Sequence, residues 1–129
     1  MKQISILTPN KPGVLAKVTS ALGSNGINLK SISAQTFPEG AVIKVLTNDA
    51  NSAKKTLERE GFSATISDIL LLEMDDKAGE LSKFARKFAA SRINIETIYV
   101  MSRDSEKVVL AVQSDNNAKA KTVFRKNVL

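Results

Sequence analysis

The sequence predicts an α+β protein in which one βαββαβ unit is used twice, and three observations carry that prediction. Slid along itself by 66 residues without a gap, the chain aligns Lys11 with Lys77, Gly13 with Gly79, Leu15 with Leu81 and Lys17 with Lys83. In the same register Ile27-Asn28 falls on Ile93-Asn94, Ile32 on Ile98, Val42 on Val108, Asp49 on Asp115, Lys55-Thr56 on Lys121-Thr122 and Arg59 on Arg125. These matches gather where backbone geometry is demanding, at a loop glycine, helix apolar positions and strand starts, which marks a repeated supersecondary unit. Within each copy the hydrophobic period switches between strand and helix spacing, and Gly or Pro residues fall at the joints.

In the first copy, residues 4–7 form a short β-rich run, followed by a Pro/Asn/Lys/Gly loop at 9–13. Leu15, Val18 and Leu22 then stand at i, i+3 and i+7, the apolar face of a helix that stops near Gly26. Residues 28–37 read as a strand, Pro38-Glu39-Gly40 as a tight turn and 41–47 as the hairpin partner. Asp49 reads as the start of a second helix with Ala53 and Leu57 on its inner face, and 62–66 returns as a strand. Right-handed crossovers fold this order into a ferredoxin-like antiparallel sheet, order 4-1-3-2, with both helices on one face.

The second copy repeats the pattern with a strand at 69–74, a helix at 79–91 on Leu81, Phe84 and Phe88, strands at 94–102 and 107–114, and a helix from Asp115. Leu129 aligns with Ser63, so the second unit is expected to lack most of its last strand. The expected domains are therefore 1–67 and 68–129. Without its neighbour, the strand at 69–74 is expected to be an unprotected sheet edge, and the strand before it joins with too short a linker to turn back as a hairpin. The runs Ile69-Leu70-Leu71-Leu72 and Val108-Val109-Leu110-Ala111-Val112 lack the alternation of a half-exposed strand. Their second faces are expected to be covered, by the other unit or by a second chain. Edge and apolar faces together predict a homodimer.

Composition narrows the function. At 129 residues and 43% hydrophobic, the chain can fill one compact domain or two very small ones. No run of eighteen apolar residues and no secretory signal is present, so a soluble cytoplasmic protein with no membrane partner is expected. Cysteine and histidine are both absent, which removes thiolate metal sites and the commonest general base. No Gly-x-Ser-x-Gly elbow, P-loop or dinucleotide fingerprint occurs, so neither a cofactor nor catalysis is expected. The net charge of +6 is spread along the chain, with eight Lys/Arg against four Asp/Glu in residues 1–66 and eleven against nine in 67–129. With one Tyr, five Phe and no Trp there is little to stack bases on, and nucleic acid is not an expected partner. The Lys54-Lys55 and Lys119/Lys121 pairs read as solvated helix faces.

The segment with most chemical content is Asn10-Lys11-Pro12-Gly13-Val14-Leu15, which joins a strand to a helix. N–H groups of a first helical turn have no internal partner and carry the positive end of the macrodipole, so a carboxylate is a natural guest. Gly13 lets a ligand approach the backbone, Pro9 and Pro12 restrict the loop, and the Asn10 amide suits a zwitterion. A competing reading of the same residues makes Asn10 a helix cap, Pro12 a first-turn residue and Gly13 a packing glycine.

The pattern Asn-x-x-Gly-x-Leu at 10–15 followed by Gly-Ile-Asn-Leu at 26–29 resembles the ACT family of small-molecule-sensing domains associated with amino-acid-metabolic enzymes. Both copies together extend the resemblance over almost the whole chain. The first copy is especially similar to the ACT domain in the small regulatory subunit of acetolactate synthase. The resemblance implies that Asn10 and Gly13 hold the polar end of an amino acid and that Asn28 reaches the same ligand across a domain interface. It also implies an amino-acid biosynthetic enzyme as a partner.

The equivalent residues of the second copy, Asp76, Gly79, Leu81 and Asn94, form a weaker candidate site. Asp76 replaces Asn10, Ala78 replaces Pro12 and Glu80 replaces Val14, with Asp75 alongside, and these carboxylates oppose a ligand carboxylate. They complement the dipole of an unliganded helix instead. Nothing in Asp75, Asp76 and Glu80 resembles an EF-hand loop, and no metal site is expected. The expected function is a non-catalytic module that binds a small amino acid and signals to an enzyme or regulator. The alternatives are a ligand-free structural ACT pair and, from another class, a small enzyme or RNA binder on a ferredoxin-like frame.

Overall fold

A computed structural model describes residues 1–129, which divide into two compact units, Met1–Asp68 and Ile69–Leu129. The first contains β1 (Lys2–Thr8), α1 (Val14–Ser24), β2 (Ser31–Phe37), β3 (Gly40–Thr47), α2 (Ala50–Arg59) and β4 (Ser63–Asp68). The second contains β5 (Leu70–Asp75), α3 (Glu80–Ala90), β6 (Ile95–Asp104), β7 (Lys107–Ser114) and α4 (Asn117–Val123). The fold is the expected ferredoxin-like α+β pair, and the second unit has fewer strands.

In the first unit the antiparallel order is β2-β3-β1-β4, with Ile4 opposite Val45 and Ile66, and Ile6 opposite Ile43 and Ala64. Partners across a ladder share a face, so these residues form one apolar surface. Val18 and Leu22 from α1 and Ala53 and Leu57 from α2 bury themselves against it. Leu15 does not join them. It is 46% exposed, and Val14 packs against the core instead. Val14, Val18 and Leu22 stand at i, i+4 and i+8 and form the inward stripe, which leaves Leu15 at its margin. Leu81 repeats the departure at 47% exposed, while Phe84 and Phe88 pack inward as expected. Two caps also differ from expectation: Asp49 takes the N-cap position of α2 without a side-chain cap bond, and α4 is capped by Asn116, whose Oδ1 accepts from the Lys119 N–H at 3.0 Å.

The hairpin glycine has a reason the turn alone does not supply. A Cβ on Gly40 would stand 2.8 Å from the Thr8 carbonyl oxygen, so β3 can begin beside the end of β1 only with glycine there.

The second sheet has the order β5-β7-β6. Its β5 edge is not bare, which corrects the expected unprotected strand. Residues 127–129 fold back along it: the Glu73 N–H donates to the Asn127 oxygen at 2.8 Å and the Leu129 N–H to the Leu71 oxygen at 3.0 Å, around a Leu72–Val128 bridge. The Asn127 amide adds a bond to the Glu73 oxygen at 3.0 Å. Phe124 seats this return, with its ring 4.4 Å from Phe88 and 5.2 Å from Phe84 between centroids.

Candidate functional site

The two strand-to-helix loops share one backbone and differ in chemistry. Gly13 (φ 90°) and Gly79 (φ 88°) are the N-cap residues of α1 and α3, both in the left-handed conformation that other residues adopt at a cost. The Val14 N–H reaches the Lys11 oxygen at 3.4 Å, as the Glu80 N–H reaches the Lys77 oxygen at 3.3 Å. Lys17 donates to the Gly13 oxygen and Lys83 to the Gly79 oxygen, at 3.0 and 3.1 Å. Asn10 is therefore not the helix cap, and Pro12 precedes the helix.

In the first unit no side chain caps α1 and no acidic residue lies in its first turn. Nothing stands within 4 Å of the Cβ position of Gly13, so the N-terminus of α1 opens onto free space beside the exposed Leu15. The loop is only lightly tethered: the Asn10 amide donates to the Phe37 carbonyl across 3.5 Å, at the limit of a hydrogen bond. Lys11 and Pro12 are exposed on the loop. Asn28 lies elsewhere. It sits just before β2, and its carbonyl accepts from Thr47 Oγ1 at 3.1 Å. Thr47 pairs with Lys2, whereas Thr8 leads into the loop, so Asn10 and Asn28 occupy opposite ends of the same sheet.

In the second unit the loop is tied down by charge. Asp76 occupies the repeat position of Asn10 and pairs with Arg103, at the position of Phe37, at 3.3 Å. The Asp76 N–H donates to the Glu106 oxygen at 2.7 Å, and Lys107 meets Asp75 at 2.6 Å. The Lys107 ammonium, hydrogen-bonded to Asp75, holds that carboxyl below its usual range and is itself pushed up by the pairing. Glu80, with a carboxylate mostly out of solvent, stands in the first turn of α3 between Lys83 at 3.1 Å and Lys77 at 3.8 Å. The cavity beside this loop, about 380 Å³, is lined by Asp75, Asp76, Lys77 and Glu106. Gly79 repeats Gly13, Leu81 is exposed like Leu15, and Asn94 lies at the far end of its sheet, bonded to Asp115. The sequence had placed the acids but not the partners Arg103 and Lys107, which lie on a different hairpin; only the repeat alignment of 103 with 37 could have suggested the first.

Tyr99, the one tyrosine, is half-buried on β6, and burial pushes its hydroxyl up to about 12. It stays protonated near neutrality and cannot serve there as a base. No helix is long and apolar enough to cross a membrane.

A family model described as an ACT domain pair matches residues 1–129. The chain belongs to the ACT domain pair family. Among solved structures, a protein from Bacteroides thetaiotaomicron is similar with a TM-score of 0.89 at 24% identity, over 99% of this chain and 90% of that one. The ligand-free regulatory subunit of aspartate kinase from Thermus thermophilus is similar with a TM-score of 0.71 at 21% identity, over 98% and 91%. The acetolactate synthase small subunit from Thermotoga maritima matches at 19% identity over 99% and 89%, but its TM-score of 0.43 is too low to argue from. Among curated protein sequences, none matches. At these identities the structures speak for the fold of this ACT pair, and its ligand must be argued from its own residues.

Proposed function

We propose that this ACT pair is a non-catalytic, cytoplasmic regulatory module that binds one small or apolar α-amino acid at the first loop and passes its occupancy to an amino-acid-metabolic enzyme or regulator. The contrast between the two loops carries the reading. The same αL glycine opens both helices, but only α1 is free of first-turn acid and of an ion-paired lock. A ligand carboxylate fits the N–H groups after Gly13, the ammonium suits the Asn10 amide oxygen, and exposed Leu15 offers an apolar wall. Related aspartate kinase regulatory subunits support a regulatory reading over an enzymatic one. A thermal-shift screen of the twenty amino acids at millimolar concentration is expected to raise the melting temperature for a small subset. Calorimetry with a responding amino acid is expected to give about one site per chain, because Asp76 and Glu80 repel a carboxylate from the second loop. Two equal sites would sink the asymmetry. No shift for any amino acid would leave the pair as a purely structural, oligomerising module.

Assembly belongs to the same proposal. Asn28 can touch a ligand held near Asn10 only if another unit presents it, since the two lie at opposite ends of one sheet. The outer strands β2 and β6 expose Ile32, Ile98 and Val100 on the side that faces the helices, and a free strand edge with apolar flanks invites pairing. A homodimer formed through these edges is expected, in place of one formed through β5. Sedimentation at micromolar concentration should show a species near twice 13.9 kDa. A monomer at every concentration would exclude Asn28 of a second copy from the site.

A further inference from the structure

Charge that is balanced along the sequence is not balanced through the depth of the second unit. Residues 77–92 and 115–126, which hold α3, α4 and their flanks, carry nine Lys/Arg against two Asp/Glu. The remainder of the unit, 69–76, 93–114 and 127–129, carries two against six. The helical layer is thus a positive field, which concentrates anions at its surface.

That layer holds a concavity of about 190 Å³ lined by Lys87, Thr122, Arg125 and Lys126, closed by Val123 and Asn127, with no carboxylate in its wall. None of the ion pairs in the chain uses Lys87, Arg125 or Lys126. Lys87 is held over the Phe124 ring, its Nζ 5.0 Å from the centroid, so its charge is positioned but not neutralised. Asn127, anchored to β5 through the Glu73 oxygen, fixes the opposite wall. A guanidinium fork and two ammonium groups within one small cleft match an anion with several oxygens and more than one charge. A single carboxylate would leave most of those donors unused.

We propose that this cleft binds a phosphate-bearing small molecule, an effector separate from the amino acid of the first unit. Nucleic acid fits less well. Phe124, the ring beneath Lys87, is buried and packs against Phe84 and Phe88, so it offers no open face to a base.

The test is calorimetry of the full chain with inorganic pyrophosphate at low ionic strength. One site with a dissociation constant below about 1 mM is expected, and acetate should give no heat. Lys87→Gln and Arg125→Gln should each weaken binding by about tenfold or more, and Arg125→Lys, which keeps the charge and loses the fork, by a smaller factor. Lys54→Gln removes the same charge from α2 and should change affinity by less than about twofold. Melting temperatures of all four variants should match the parent within about 2 °C. Absence of binding at about 10 mM pyrophosphate would overturn the proposal. So would equal weakening by Lys54→Gln, which would reduce the effect to net charge. A single-stranded oligonucleotide of about twelve nucleotides binding more tightly than pyrophosphate would assign the surface to nucleic acid and overturn it as well.

Discussion

Gly13→Asp is expected to abolish amino-acid binding while leaving the first unit folded. Gly13 sits at φ 90° as the N-cap of α1, and aspartate is among the few residues that visit this region at modest cost. Its carboxylate would also stand at the positive end of the α1 dipole, which offsets part of that strain. The strain and this charge–dipole attraction oppose each other, each worth about 1 kcal/mol, and stability should change little. Binding should not survive, because the new carboxylate takes the place of the ligand's own and repels it. A loss of about 100-fold or more is expected by calorimetry. Gly13→Ala separates charge from strain: its Cβ meets nothing within 4 Å, so it should lower stability by about 1 kcal/mol yet retain more affinity than the aspartate variant. An aspartate variant that binds within a few-fold of the parent would show that the ligand lies elsewhere.

This double effect illustrates what was legible in the sequence. The paired loop glycines and the charge difference between the loops follow from residues 10–15 and 76–81, because local backbone chemistry recurs in both copies; the left-handed backbone at Gly13 and Gly79 is a finding of the structure. The strand order also followed, since the βαββαβ sequence with right-handed crossovers leaves few alternatives. What escaped were interactions between segments distant in sequence. Arg103 and Lys107 meet Asp76 and Asp75 only after β6 and β7 have paired beside β5. The return of 127–129 onto β5 carries no periodic signal, being too short to alternate. Leu15 is spaced helically from Val18 and Leu22, and spacing alone does not reveal that Val14, one residue earlier, takes the inward place. Charge counted along the chain hid the separation between helix and strand layers for the same reason: the layers exist only once the unit is folded.

Phe124→Ala is expected to cost the second unit about 3–5 kcal/mol, the range for emptying a large aromatic site in a core. Two effects combine. The ring packs on both Phe84 and Phe88 and is 1% exposed, so little can collapse into the space it leaves. Its backbone also anchors the return to β5, since the Phe124 oxygen accepts from the Asn127 N–H at 2.7 Å and from the Val128 N–H at 3.2 Å. A shift of this segment would withdraw the bonds to Leu71 and Glu73 and leave β5 as the bare edge that the repeat alone would give it. A single core in a unit as short as Ile69–Leu129 rarely supplies more than about 3–5 kcal/mol, so a loss of this size is comparable with the whole. Hydrogen exchange should then show the Glu73 and Leu129 amides unprotected, while the β1–β3 ladder of the first unit keeps its protection. Phe37→Ala provides the comparison: that ring is 39% exposed at the end of β2, and its loss should cost under about 1 kcal/mol. If urea unfolding gave Phe124→Ala a cost as small as Phe37→Ala, the aromatic cluster would not be what closes the second unit, and the residues 127–129 would hold β5 by their backbone bonds alone.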